Sequence, residues 1–206
     1  MWISYSDSEV NRFHPVCERA LNLALARIGK TNEYRVLHHQ YTGSLEMDFA
    51  IQNIQTGRYL CVIEVKRTPS DLNSARNQYQ AMSYVQMNAA ESEKPFYVLT
   101  NLEYILPFRY EASRSRVFQQ MLAPGLLEVG RFEGSIQAEF EDALANSFAS
   151  LISGFINNDY TYLVTLEQFE SHMRAISNNS PKWKSSLAVL LYEYIRGAFL
   201  SVGRND

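Results

Sequence analysis

Residues 47–67, MDFAIQNIQTGRYLCVIEVKR, constrain the fold more than any other stretch of this chain. Two runs rich in β-branched and aromatic residues, Met47 to Ile54 and Tyr59 to Val65, flank the short turn Gln55-Thr56-Gly57-Arg58. A turn of this length with a glycine, set between two such runs, predicts an antiparallel hairpin. With the hairpin centred near Thr56, directly opposed residues have numbers that sum to about 112. Asp48 then lies across from Glu64 on one sheet face, and strand alternation adds Lys66 to that face. A Glu-Val-Lys string alone is most often part of a solvated ionic face. Here Phe49-Ala50-Ile51 and Cys61-Val62-Ile63 read as buried strand, so the charges stand at the end of a core element, where they need a reason.

Two carboxylates held this close repel, which makes ionising both costly unless a cation sits between them. Hard oxygen ligands favour magnesium, with manganese as a substitute. A lysine beside such an ion can orient or deprotonate an attacking water, or stabilise charge building on a phosphate. Those are the parts for metal-assisted phosphodiester hydrolysis. If the carboxylates serve this purpose, alanine at Asp48 or Glu64 should abolish cleavage and leave metal-free stability unchanged or raised.

The neighbouring segments supply a frame. Residues 15–28 repeat apolar side chains at helical spacing, with Pro15 in the first turn and Gly29 at the stop. Tyr34 to Tyr41 reads as a strand. Thr68-Pro69-Ser70-Asp71 offers N-caps for a helix over about 71–88. On it Arg76, Gln80 and Tyr84 make one stripe, while Leu72, Ala75, Tyr79 and Met82 make another, expected to pack on the sheet. Phe96-Tyr97-Val98-Leu99 is a continuous apolar run, typical of a strand buried on both faces. The order helix, three strands, helix, strand implies an α/β fold with a mixed sheet flanked by helices. Beyond residue 112 the pattern reads as helical, over 135–156, 166–176 and 182–200. This divides the chain into a core, 1–111, and a helical extension, 112–206, packed on it.

Asp48, Glu64-Val65-Lys66 and Gln80-Ala81-Met82-Ser83-Tyr84 together resemble the D…ExK…QxxxY pattern of PD-(D/E)XK, restriction-endonuclease-like nucleases. More narrowly, they resemble the N-terminal nuclease domain of type I restriction-enzyme R subunits. Phe96 to Asn101 (FYVLTN) is similar to that family's strand after the QxxxY helix. The match covers about residues 16–110, with Met47 where the family name expects proline. The resemblance implies a magnesium-dependent DNA endonuclease with a restriction-endonuclease-like core. Asp48, Glu64, Val65 and Glu18 of the first helix would serve the metal. Lys66 and Gln80 would complete the catalytic set. Arg67, Arg76, Tyr84 and Arg109 would contact DNA, the last within a small basic cluster with Tyr110, Arg114 and Arg116. Partners would be DNA and other restriction-system subunits. Two alternatives stay open: a non-cleaving DNA- or protein-binding module on the same fold, and a repair or mobile-element nuclease.

Net charge is −3 over 206 residues, so no global basic field draws nucleic acid, and any affinity must be local. Cys17 and Cys61 fall on a helix and a buried strand and read as free thiols. Nothing in the sequence reads as a signal peptide or as a span of about 20 apolar residues, which points to the cytoplasm and away from membranes. His14, His38, His39 and His172 show no zinc-like spacing. His38 and His39, adjacent on a strand, should face opposite sides and not ligate together.

Overall fold

The computed structural model describes residues 3–42, 45–87, 92–112, 117–122, 126–132 and 137–159. The chain divides into units 1–163 and 164–206, and every described residue falls in the first. The helices expected over 166–176 and 182–200 lie outside the described residues.

A π-helical turn, Glu9–Phe13, leads directly into helix α1, His14–Arg27. Ser8 caps the turn through its hydroxyl, which accepts from the Asn11 amide. Gly29 ends α1 at φ +67°, a left-handed position that suits glycine. Strands β1 (Tyr34–Thr42), β2 (Leu45–Asn53) and β3 (Tyr59–Val65) follow as antiparallel neighbours. Then come a short helix α2 (Pro69–Leu72), helix α3 (Ala75–Met87) and strand β4 (Ser92–Thr100). Strand β4 runs parallel to β3, as the long crossover through α3 allows. Strands β5 (Tyr104–Ala112), β6 (Val117–Met121) and the two-residue β7 (Leu127–Glu128) extend the sheet, and helix α4 (Ala138–Asn157) closes the unit.

Among the described residues the sheet order is β1-β2-β3-β4-β5-β6, with β7 also on β5. Two cores flank it. On one face α1 and α4 pack over Phe49, Ile51, Cys61, Ile63, Phe96 and Val98. On the other α3 covers Val62, Tyr97, Leu99, Leu106 and Phe108. The apolar run of β4 thus serves both cores in alternation, which is why it contains no polar residue. Arg19 pairs with Glu141 at 2.6 Å, and Arg27 pairs with Asp142, tying α4 to α1. Cys17 and Cys61 are free and buried. No helix among the described residues is long and apolar enough to cross a membrane.

Three expectations need correction. The sheet continues past residue 112 as β6 and β7, and α4 shares the α1 core, so the chain after 112 is not wholly helical there. The single helix over 71–88 is two. Thr68 and Asp71 form a reciprocal capping box that closes α2 as one short turn, and the chain re-enters helix only at Ala75. The buried face of α3 is then Ala81, Met82, Tyr84 and Val85. Tyr79 lies almost opposite that face and is 59% exposed, and Ala75 is exposed with it.

Candidate active site

Glu64, one of two buried carboxylates among the described residues, stands at the carboxyl end of β3. The β2–β3 ladder keeps the expected register, pairing Ile51 with Cys61, Ala50 with Val62 and Phe49 with Ile63, and then stops. Beyond it the strands part, and Asp48 fills the gap by accepting the Val65 amide on Oδ2 at 2.8 Å. Strand alternation is broken here: Met47 belongs to the α3 core and Phe49, two residues on, to the α1 core. On the neighbouring strand β1, His39 takes φ +50° opposite Asp48, and the pairing is interrupted there between His38–Phe49 and Gln40–Met47.

Glu64 is 2% exposed and follows Val62 onto the α3 face. Its Oε1 accepts from Lys66 Nζ at 2.7 Å and from Gln80 Nε2 at 3.2 Å. Gln80 also donates to the Tyr84 hydroxyl at 2.7 Å, so the α3 stripe does turn toward the cluster. Oε2 of Glu64 is buried with no hydrogen-bond partner. Lys66 stays in line because its amide continues the parallel ladder, donating to the Thr100 carbonyl at 2.7 Å.

The electrostatics follow from this crowding. Burial and the charge of Asp48 push the Glu64 carboxyl up to about 7, against the pull of Lys66. Burial also raises Asp48, opposed by the Val65 amide and Lys66. Burial disfavours the Lys66 ammonium, yet Glu64, Glu9 and Asp48 outweigh it and raise its pKa, so it stays charged. His14, fully buried, has Nε2 3.7 Å from Asp48 Oδ1 and no hydrogen bond at that nitrogen. Its pKa is pushed down to about 4 by burial and by His38, His39 and Lys66.

One carboxylate was missed. Glu9, in the π-helical turn, offers an oxygen within 4.8 Å of ligand atoms of both His14 and Asp48. Its pKa is raised by burial first, with Asp48 adding to the rise and Lys66 and Arg67 opposing it. Glu18, the helix acid assigned to the metal, instead lies 3.8 Å from His38 Nδ1 on a side chain 44% exposed. Helical phase decides between them: α1 buries Cys17, Ala20 and Leu21, which turns Glu18 away from the strand ends. Of the two, Glu9, placed before the helix on the wide π turn, is the one that reaches Asp48. A polar pre-helix segment gave no periodic signal to find it by.

The remaining assignments divide. The Val65 side chain is core, so only its main-chain carbonyl could meet a cation. Arg67 and Arg76 are exposed beside the cluster and at the outer end of the Gln80–Tyr84 stripe respectively. Arg109 does not belong with them. It pairs with Phe96, which faces the α1 and α4 core, whereas Glu64 pairs with Leu99 on the α3 face. Tyr110 is buried, and Arg114 and Arg116 lie outside the described residues. The basic cluster expected there thus rests in part on residues outside the described ones.

His38 and His39 also depart from expectation. With His39 in a left-handed conformation, alternation fails, and the two rings lie on one side with centroids 3.9 Å apart. Together with His14 they place ligand nitrogens within 4.8 Å of one another.

Two comparisons relate the chain to a restriction enzyme. No curated protein matches the chain. The crystal structure of the type IIG restriction endonuclease BpuSI resembles it with a TM-score of 0.79 at 40% identity, over 95% of this chain and 22% of that one. The chain thus spans about a fifth of BpuSI's length, 22%. Neither match names a type I R subunit. The family described as the BpuSI N-terminal domain matches residues 3–154, and this chain belongs to that family.

Proposed function

We propose that the chain is a magnesium-dependent endonuclease domain of the PD-(D/E)XK kind, hydrolysing phosphodiester bonds of duplex DNA in a restriction system. The observation that carries this reading is the buried Glu64 Oε2, left without a hydrogen-bond partner while Asp48 and Lys66 converge on the same strand end. A buried carboxylate oxygen in that condition costs free energy unless something positive meets it.

The donor set fits a hard divalent ion. Asp48 has Oδ1 uncommitted to the backbone, Glu64 has Oε2, Val65 has its carbonyl, and Glu9 can add an oxygen from the side. Such an ion, when bound, polarises the scissile phosphate and lowers the pKa of water. The chain's own groups do the rest. Because Lys66 is held charged, it acts by stabilising negative charge that builds on the phosphate oxygens, not as a base toward water. Gln80 fixes the Glu64 carboxylate from α3, and Tyr84 fixes Gln80 in turn. Exposed Arg67 and Arg76 are placed to meet neighbouring phosphates.

The likeness to a type IIG restriction endonuclease supports DNA as the substrate and restriction as the setting. Plasmid DNA incubated with the purified chain and magnesium or manganese should be nicked or linearised, and Glu64→Gln and Lys66→Met should each remove that activity while retaining the circular dichroism spectrum. A chain that binds DNA without cutting it under either metal would leave the non-cleaving module as the correct reading. Equal cutting by wild type and Glu64→Gln would remove the assigned site.

A further inference from the structure

The three histidines that meet beneath the strand ends have no part in the reaction above, yet each faces a carboxylate. His14 Nδ1 and His38 Nε2 are 3.0 Å apart and share a hydrogen bond, which a bound cation would replace. Two imidazole nitrogens on one tetrahedral zinc ion, at about 2.0–2.1 Å each, stand about 3.3 Å apart. The His38 ring is stacked on Phe49 at 4.5 Å with planes 10° apart, and His14 is fully buried, so both are held in place. His39 completes the group only because its backbone takes φ +50°, a conformation uncommon outside glycine.

The outward nitrogen of every ring faces a carboxylate. His39 Nδ1 is 2.6 Å from Glu46 Oε1, His38 Nδ1 is 3.8 Å from Glu18 Oε2, and His14 Nε2 is 3.7 Å from Asp48 Oδ1. At His39 that is the arrangement in which a carboxylate fixes the tautomer of a metal-ligating imidazole and raises its basicity, while the acids facing His38 and His14 stand beyond hydrogen-bond distance.

We propose that His14, His38 and His39 form a second metal site, for a borderline transition cation of the zinc class, distinct in ligands and in preference from the carboxylate site for magnesium. Nitrogen donors select such ions over magnesium. Filling the site would clamp β1 to the first turn of α1, directly behind Asp48. His14 would then hold its Nε2 proton toward Asp48 Oδ1, so the two sites share a wall without sharing a ligand.

Cobalt titrated into the untagged, metal-stripped full chain, with magnesium in excess, reports on this site alone and needs no cleavage. One equivalent should give the visible absorption of four-coordinate cobalt, and zinc should displace it. His38→Gln and His39→Asn should each weaken the affinity at least about tenfold, and Glu46→Gln roughly 10- to 100-fold. Asparagine tolerates the left-handed backbone, so His39→Asn removes the imidazole without forcing a rearrangement. Glu64→Gln should leave the band intact, which separates this site from the proposed nuclease centre. Absence of the band in wild type, its survival in both histidine variants, or its loss in Glu64→Gln would each overturn the assignment.

Discussion

The Val65 amide donates to Asp48 Oδ2 at 2.8 Å, which makes Asp48 a structural acceptor as well as a candidate metal ligand. The bond closes the gap where β2 and β3 part, and Val65 itself is fully buried. Asp48→Ala therefore removes a charge that burial disfavours but orphans an amide in the core, at about 1–3 kcal/mol. This revises the expectation that alanine would be harmless to stability. Asp48→Asn keeps an acceptor and drops the charge, so its metal-free stability should match or exceed wild type. Urea denaturation in chelator checks the contrast; equal midpoints for the two variants would mean the bond carries no weight. Both should fail to cut DNA.

The contribution of Glu64 to metal-free stability should be lost as pH rises, against an opposite contribution from His14. His14 is pushed down to about 4 and favours folding as pH climbs toward the ordinary histidine range. Glu64 is pushed up to about 7 in the folded chain by burial and by Asp48. A carboxyl with a raised folded pKa favours folding fully below its ordinary range, and that contribution is lost as pH climbs through about 7. Asp48 and Glu9 are raised as well and act in the same direction. A magnesium ion bound at the proposed site would compete with the proton for this carboxylate, so it should raise the melting temperature more near pH 8 than near pH 5. In Glu64→Gln the difference between the two pH values should shrink. An equal metal-induced shift at both pH values would show that Glu64 is not the coupled group.

Gln80 should behave as a positioning residue. It holds Glu64 Oε1 from α3 and is itself held by the Tyr84 hydroxyl. Gln80→Ala should lower metal affinity and cleavage by roughly 10- to 100-fold, the usual cost of losing a group that orients a ligand. Tyr84→Phe should do less, because Gln80 keeps its bond to Glu64. Calorimetric titration with manganese measures both; an unchanged affinity in Gln80→Ala would leave that contact without a role.

Much of this centre was legible in the sequence because hairpin register is arithmetic. The turn at Gly57 and two β-rich runs place Asp48 and Glu64 at the same end, and the observed pairs of Phe49 with Ile63 and Ala50 with Val62 keep that register. Three of the errors share one origin, which is that periodicity assumes a regular backbone. His39 at φ +50° breaks strand alternation and brings two adjacent imidazoles together. The capping box at Thr68 and Asp71 splits a helix and turns Tyr79 out to solvent. The π-helical turn before α1 supplies Glu9 where a regular helix offered Glu18. Each is a local geometry that favours function or a sharp turn over pattern, and none leaves a periodic trace.

The isolated chain should hold DNA weakly and without regard to sequence. Its net charge is −3, and among the described residues the cations near the cluster are few: Lys66, Arg67 and Arg76, with Arg12 in the turn that carries Glu9. Arg109, once counted with them, faces the α1 and α4 core. About three to four phosphate contacts correspond to a slope of log affinity against log salt of about −3 to −4. Contacts to phosphates position a duplex but read no bases, so this surface supplies no specificity. The chain spans 22% of BpuSI's length, and recognition and a firm hold on the duplex would have to come from outside this surface. Fluorescence anisotropy over a salt series, with two unrelated duplexes, measures both slope and preference. Arg67→Ala and Arg76→Ala should each flatten the slope by about one and weaken both duplexes alike. A strong preference for one duplex by the chain alone would place a base-reading element within these residues and refute the division of labour.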